Sequence, residues 1–258
     1  MRYGLIGEKL GHSYSKIIHE RIINEPYDLI PLDNEEFDKF MRKKEFAGIN
    51  VTIPYKQKVI AYLDELDPLA KKIGAVNTVV NKNGRLTGYN TDFYGLKYLF
   101  NRNNISVNQK KCLILGNGGT SQTARTVLET LGAKEILTVS RNPAGGVISY
   151  EDCRQNHTDA EIIVNTTPVG MYPNMDASPL DLTPFKSCIA VVDVIFNPLK
   201  TKLAQQAESL GIKAVTGLVM LVAQAKQAQE HFRGIKLDDD IIETITEELL
   251  KHLGYENV

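Results

Sequence analysis

The sequence predicts an α/β protein in two parts, the second built on a parallel, doubly wound sheet. Three observations lead there. Short apolar runs alternate with helix-patterned segments from the first residues to about 104. A polar stretch, NRNNISVNQKK at 101–111, then breaks that rhythm and reads as a connection. Beyond it a glycine-rich turn joins an apolar strand to a helix, the opening of a βαβ unit.

In the first part YGLIG, YDLIPL and GINVTI are the strands, with YSKIIHERIINE and EEFDKFMRKK as the helices between them. After Pro54 a helix carrying Val59, Ile60 and Leu63 is expected, followed by AVNTVVN, RLTGYNTD and a helix over GLKYLFNR. In the second part KCLILG is a buried strand, GGTSQTARTVLETLG a helix closed by Gly132, and EILTVS the next strand. EIIVNTTPVG and CIAVVDVIF continue the strands, LKTKLAQQAESLG is a crossover helix and KAVTG a last short strand. Two helices end the chain. The first is LVMLVAQAKQAQEHF; the second, IIETITEELLKHL, is expected to be capped by Asp240 with Glu243 three residues on, and to present Ile241, Ile245, Leu249 and Leu253 on one face. Periodicity does not assign these helices to either part. No internal repeat or low-complexity segment occurs.

A length of 258 residues with 43% hydrophobic side chains suffices for one large core or two ordinary ones. Thirty basic residues against thirty-one acidic ones leave a net charge of -1, so no overall field draws the chain to nucleic acid or an anionic membrane. Any anion must be held locally. Cys112, Cys153 and Cys188 are odd in number and widely spaced, which fits reduced thiols in a cytosolic protein better than a disulfide framework. No early apolar export segment and no run long enough to span a bilayer occurs, so neither export nor membrane insertion is expected.

LGNGGTSQTA places Gly116, Gly118 and Gly119 between strand and helix, where glycines admit a pyrophosphate to backbone N–H groups and the helix N-terminus supplies positive charge. Ser121 stands where the plain fingerprint has its third glycine, and a glycine turn that binds nothing is the alternative. The next strand ends VSRN. A cation there suits a 2'-phosphate where a carboxylate would suit ribose hydroxyls, so Arg141 favours NADP over NAD; the alternative is an exposed surface arginine.

A nicotinamide cofactor transfers hydride, and a reduced ketone must then gain a proton. No Ser/His/Asp ordering and no metal-ligand cluster presents itself: His12 and His19 are seven apart, and His157, His231 and His252 are isolated. Lys56 in NVTIPYK could stabilise the oxyanion and donate to it, with Asp92 in GYNTD orienting the ammonium. Each has a plainer reading: Lys56 as a solvated first-turn lysine, Asp92 as the cap of the helix starting near Phe93. Ser13 and Ser15 in GHSYSK could hold a carboxylate at a helix start, or simply cap it.

GHSYS, NVTIPYK, GAVNT, GYNTD, GNGGTSQTA, DVIFNPLKT and GLVMLVAQA, in that order, resemble the shikimate dehydrogenase family over nearly the whole chain. The resemblance implies NADPH-dependent, reversible reduction of 3-dehydroshikimate to shikimate, on the way to chorismate and the aromatic amino acids. It implies two α/β domains flanking a cleft: a substrate-binding domain of residues 1–104 and 219–258, and a Rossmann-like NADP-binding domain of 105–218. Carried over by position, Lys56 and Asp92 are the catalytic pair, and Ser13 and Ser15 hold the substrate carboxylate. Thr52, Asn77, Asn90 and Gln224 bind ring hydroxyls, with Phe196 at the same substrate. Gly116, Asn117, Gly118, Gly119 and Thr120 wrap the pyrophosphate, Ser140 and Arg141 meet the adenosine phosphate, and Val194 and Gly217 lie near the nicotinamide, supported by Met220 and Leu221. The expected partner is a small-molecule substrate, with no metal, nucleic acid or membrane, in a cytoplasmic monomer or homodimer.

The chain also departs from the family. Lys16 stands where the serine motif usually continues with proline, and Phe196 where tyrosine is common, which removes a hydroxyl. Asn142 and Gly145 occupy positions where many members carry a threonine and a second arginine, so the phosphate clamp rests on Arg141. The rival readings are a quinate/shikimate dehydrogenase using NAD or NADP, and a non-catalytic dinucleotide-binding regulatory protein.

Overall fold

The computed structural model describes residues 3–11 and 13–255, so His12 lies outside the described residues. The chain forms two compact units, Met1–Gly95 with Leu221–Val258, and Leu96–Met220.

The first unit is a mixed six-stranded sheet: β1 (Tyr3–Gly7), β2 (Asp28–Pro31), β3 (Gly48–Val51), β4 (Glu65–Leu66), β5 (Thr78–Lys82) and β6 (Arg85–Tyr89), in the order β2-β1-β3-β5-β6-β4. β1 pairs in parallel with β2 and β3, connected through α1 (Ser15–Ile23) and α2 (Asn34–Lys43). Asp33 and Glu36 close a reciprocal capping box at the start of α2. β5 then returns antiparallel to β3 and pairs with β6 as a hairpin. Asn83 and Gly84 turn it with φ of 54° and 85°, the left-handed pair that a two-residue hairpin loop needs.

The helix expected after Pro54 is a single 3-10 turn, Lys58–Tyr62, and Leu63 is already extended. A second helix, α3 (Pro68–Ile73), starts afresh where Asp67 accepts the Leu69 N–H and proline takes the first helical position; Gly74 ends it at φ 71°. α4 (Asp92–Arg102) begins in this unit, and α8 (Leu218–Arg233) ends in it beside α9 (Asp240–His252). The expected Asp240 cap is replaced by Asp239, which has helical backbone angles and makes no side-chain cap bond. α9 buries Ile242, Ile245 and Leu249, whereas Ile241 and Leu253 are half-buried, so its apolar face is turned by one residue from the expected stripe.

Alternation along the strands divides this core between the faces of the sheet. Ile6, Ile49, Val79, Phe37 and Met41 pack on one face; Tyr3, Leu5, Tyr27, Val80 and Phe232 pack on the other. Each fully buried side chain of this size contributes about 1.5–3 kcal/mol relative to exposure. α8 sits so close that a Cβ on Gly48 would lie 2.4 Å from the Phe232 ring.

The second unit is a parallel sheet of β7 (Lys111–Leu115), β8 (Glu135–Val139), β9 (Ile162–Asn165), β10 (Ala190–Asp193) and β11 (Lys213–Thr216), in the order β11-β10-β9-β7-β8. α5 (Gly119–Thr130) and α7 (Lys202–Ser209) are the helices expected from sequence. α6 (Tyr150–Asn156), absent from the sequence reading, is announced only by Ser149, whose hydroxyl accepts the Asp152 N–H at 3.0 Å. The chain leaves β7 toward β8 and returns across it to β9, so the sheet reverses direction of growth between β7 and β9. In such sheets ligands bind outside the C-terminal ends at that switch point. The three cysteines are free and buried, and burial pushes the Cys112 thiol up to about 12, leaving it protonated.

Candidate active site

In the first unit, the register places Leu5, Asn50, Thr78 and Tyr89 in one row across β1, β3, β5 and β6. The loops leaving β1, β3 and β6, and the one entering β5, therefore meet at one edge of the sheet. Those loops carry GHSYS, NVTIPYK, GYNTD and GAVNT.

Backbone bonds lock three of these motifs together. Val51 N–H donates to the Asn77 carbonyl and Val76 N–H to the Lys56 carbonyl, both at 2.8 Å, while Asn77 N–H reaches the Tyr89 carbonyl at 3.1 Å. Asn90 Nδ2 donates to the Ala75 carbonyl at 2.9 Å, and the Asn90 Oδ1 accepts the Phe93 N–H at 3.2 Å. Asn90 thus caps α4. This leaves Asp92, at the first position of that helix, with a carboxylate not needed for capping.

Lys56 Nζ lies 2.6 Å from Asp92 Oδ2, and both side chains are largely buried, 15% and 10% exposed. The solvated-lysine and helix-cap readings both fail on this geometry. One N–H of the ammonium serves Asp92, and its other two have no acceptor among the described residues. Beside the pair, Asn77 Nδ2 donates to Thr91 Oγ1 at 3.0 Å and to Gln224 Oε1 at 3.5 Å, and the Gln224 Nε2 is turned back to the Leu221 carbonyl at 2.8 Å. So Lys56, Asp92, Asn77, Asn90 and Gln224 form one connected set.

Thr52, Ser13 and Ser15 share the edge without bonding the pair. Thr52 N–H donates to the Ile6 carbonyl at 2.9 Å, and Gly7 must be glycine because a Cβ would meet Thr52 Cγ2 at 2.5 Å. Ser13 Oγ accepts the Ser15 N–H at 3.2 Å at the start of α1, so part of the plain capping role is real. The sequence reading missed Asn50, Thr78 and Thr91, buried polar residues that tie the set together; the signal was a polar side chain inside an otherwise apolar strand.

In the second unit the candidate residues fall at the C-terminal ends of adjacent strands. Reading across the sheet, these are Gly217 after β11, Val194 after β10, Thr166 and Thr167 after β9, Gly116 after β7, and Ser140 with Arg141 after β8. At about 4.8 Å per strand the row is roughly 19 Å long, room for an extended dinucleotide. Gly116 has φ 105°, and a Cβ there would lie 2.9 Å from Thr166 Oγ1, so the chain itself requires glycine. Gly118 differs. Its φ is -103°, and a Cβ would meet nothing within 4 Å, so neither backbone nor packing explains a glycine. No side chain caps α5, which leaves its first N–H groups free for an anion beside Asn117, Gly119 and Thr120. Gly217 is pressed onto β10: its Cβ would fall 2.1 Å from the Val194 carbonyl oxygen, and its N–H donates to the Ile195 carbonyl at 2.9 Å. Arg141 is exposed at the far end and bonds none of the described residues, so its guanidinium is available to a phosphate. Phe196 is half-buried in the loop after β10.

The polar floor of this row is fixed from below. Asp193, fully buried, accepts from Asn165 Nδ2 at 3.0 Å, Ile195 N–H at 3.1 Å and Thr201 Oγ1 at 2.7 Å. Burial pushes its carboxyl up to about 6, against the pull of these donors. Asn165 Oδ1 in turn holds Thr167 through its N–H at 3.0 Å and its hydroxyl at 2.7 Å.

Residues 5–79 match the family model of the shikimate dehydrogenase substrate binding domain. A shikimate dehydrogenase (NADP(+)) of Clostridium perfringens is 37% identical over 264 residues, covering 96% of this chain and 97% of the relative. Among solved structures, shikimate dehydrogenase 1 from Peptoclostridium difficile superposes with a TM-score of 0.90 at 37% identity, over 96% of this chain and 97% of that one. The Thermus thermophilus enzyme in complex with NADP(H) and shikimate gives 0.85 at 29% identity, over 96% and 99%.

Proposed function

The chain belongs to the shikimate dehydrogenase family, and we infer that it interconverts 3-dehydroshikimate and shikimate with NADP(H), a step toward chorismate and the aromatic amino acids. The observation that carries the reading is the largely buried Lys56–Asp92 pair at 2.6 Å, whose ammonium keeps two N–H bonds without an acceptor among the described residues. The first unit is read as the substrate domain and the second as the NADP domain. No helix among the described residues is long and apolar enough to cross a membrane; the composition and buried free thiols support a cytoplasmic setting.

When bound, the reduced cofactor supplies a hydride to the carbonyl carbon of 3-dehydroshikimate. The carbonyl oxygen then carries the charge. The Lys56 ammonium stabilises that oxygen and gives it a proton, while Asp92 keeps the amine aimed and accepts a hydrogen bond from a substrate hydroxyl. In the reverse direction Lys56 takes the proton back. Thr52, Asn77, Asn90 and Gln224 bind the ring hydroxyls, and the hydroxyls of Ser13 and Ser15 hold the carboxylate at the start of α1. For the cofactor, the N–H groups of residues 116–120 would hold the pyrophosphate, Ser140 and Arg141 the 2'-phosphate, and Val194 and Gly217 the nicotinamide.

The test is a four-way steady-state assay, shikimate and quinate each with NADP and NAD. The highest kcat/KM is expected for shikimate with NADP. A higher value for quinate with NAD would overturn the assignment, and no turnover with any pair would favour the regulatory alternative.

A further inference from the structure

Tyr27, on the second face of the first unit's sheet, is 1% exposed yet carries a hydroxyl. That oxygen lies 2.7 Å from Asn50 Oδ1. Burial raises the phenol well above the ordinary tyrosine range, so it keeps its proton and donates. With its Oδ1 taken, Asn50 must turn Nδ2 the other way, where it donates to Thr78 Oγ1 at 2.9 Å and the Asn77 carbonyl at 3.1 Å. Thr78, having accepted, donates to Asn77 Oδ1 at 3.1 Å. Asn77 Oδ1 also takes the Thr91 N–H at 2.7 Å, and its Nδ2 donates to Thr91 Oγ1 at 3.0 Å. The phenol starts this series, and two backbone groups, the Asn77 carbonyl and the Thr91 N–H, hold its two amides in the same sense.

Tyr27 is itself held on every side. Glu20 Oε1 accepts its N–H at 3.1 Å, and Lys16 Nζ donates to its carbonyl at 3.0 Å while pairing with Glu20 at 2.8 Å. The His19 ring stacks on it, with centroids 4.0 Å apart and planes 4° from parallel. Lys16 therefore does at this position what a proline could not, since proline has no donor to offer.

We propose that Tyr27 is a positioning residue for the substrate site: acting through Asn50 and Thr78, its hydroxyl steadies the Asn77 amide. The proposal rests on the shikimate reading, in which Asn77 binds a ring hydroxyl. Without the phenol, Asn50 Oδ1 is left without a donor in a buried network and the amide is held through Nδ2 alone, so Thr78 and, through it, Asn77 are held less firmly.

Tyr27→Phe keeps the ring and its stack and removes one oxygen. Its shikimate KM is expected to rise roughly tenfold, the effect of one lost hydrogen bond in a buried orienting network, with the NADP KM within about twofold of wild type. Thr78→Val breaks the same series one bond further on and is expected to give the same split. In the double variant the effects should be less than additive, because the two changes interrupt one path. A structural role alone would lower the thermal midpoint and move both KM values together. Unchanged shikimate KM in either variant, with a wild-type protein that oxidises shikimate, overturns the proposal alone. A wild-type protein that does not oxidise shikimate overturns the functional reading and this proposal with it.

Discussion

Lys56 and Asp92 stand 36 positions apart in sequence and 2.6 Å apart in space. The pairing is possible because Asn90, two residues earlier, takes the capping role that Asp92 would otherwise fill. A buried pair of this kind is weak evidence for stability, since desolvation offsets much of the attraction. Its value lies in holding an ammonium with unspent N–H bonds among hydrogen-bonding side chains.

Lys56→Ala removes the proposed proton donor and leaves the carboxamide frame in place. Turnover of shikimate with NADP should fall by roughly 100-fold or more while the shikimate KM changes only modestly, the pattern of an interaction made in the transition state. Steady-state kinetics decides it. Turnover within a few-fold of wild type would remove Lys56 from the chemistry.

Gly116 and Gly118 are two residues apart and predict opposite outcomes. Gly116→Ala forces a side chain at φ 105° against Thr166 and should destabilise the fold by about 1–3 kcal/mol. Gly118→Ala has room in the protein and should leave the thermal midpoint almost unchanged, yet raise the NADP KM by roughly tenfold or more where the new methyl meets the pyrophosphate. Equal NADP KM values for wild type and Gly118→Ala would mean that the cofactor does not approach this turn.

The parts of the fold legible in the sequence were those specified locally. The glycine turn between KCLILG and its helix carries its own signals, so the parallel sheet of the second unit was readable from strand and helix patterns. α3 and α6 were not, because helices of six and seven residues bury only two and one side chains and show no period; their caps, Asp67 with Pro68 and Ser149, were the remaining clue. The α9 face slipped by one residue because Ile241 and Ile242 are adjacent and both fit a helical stripe. For the site, residue types pointed to Lys56 and Asp92, but nothing local says that Asn90 caps and Asp92 does not. Asn50 and Thr78 were hidden for a related reason: their partners come from other strands, and only the register brings them opposite each other.

Two buried titratable groups give the units opposite responses to acid. His19 is fully buried, and burial lowers its imidazole to about 3, so the folded first unit refuses a proton that the unfolded chain accepts below about 6.5. Its stabilising contribution is present above that value and is lost as pH falls. Asp193 runs the other way. Its folded carboxyl titrates near 6 against about 3.8 unfolded, so its contribution is complete below the unfolded value and is lost as pH rises through 6. Asp193→Asn keeps an acceptor for Asn165 and Ile195 and removes the titration. Unfolding of wild type and Asp193→Asn should therefore differ between about pH 4.5 and pH 7.5 by on the order of 2 kcal/mol, wild type gaining relative to the variant at the acidic end. Carboxylates common to both proteins cancel in that comparison. For His19, the imidazole resonance missing from a His19→Gln spectrum should show no titration in wild type from about pH 8 down to 4.5. A midpoint near 6 for that resonance, or a pH-independent difference between wild type and Asp193→Asn, would contradict the corresponding buried state.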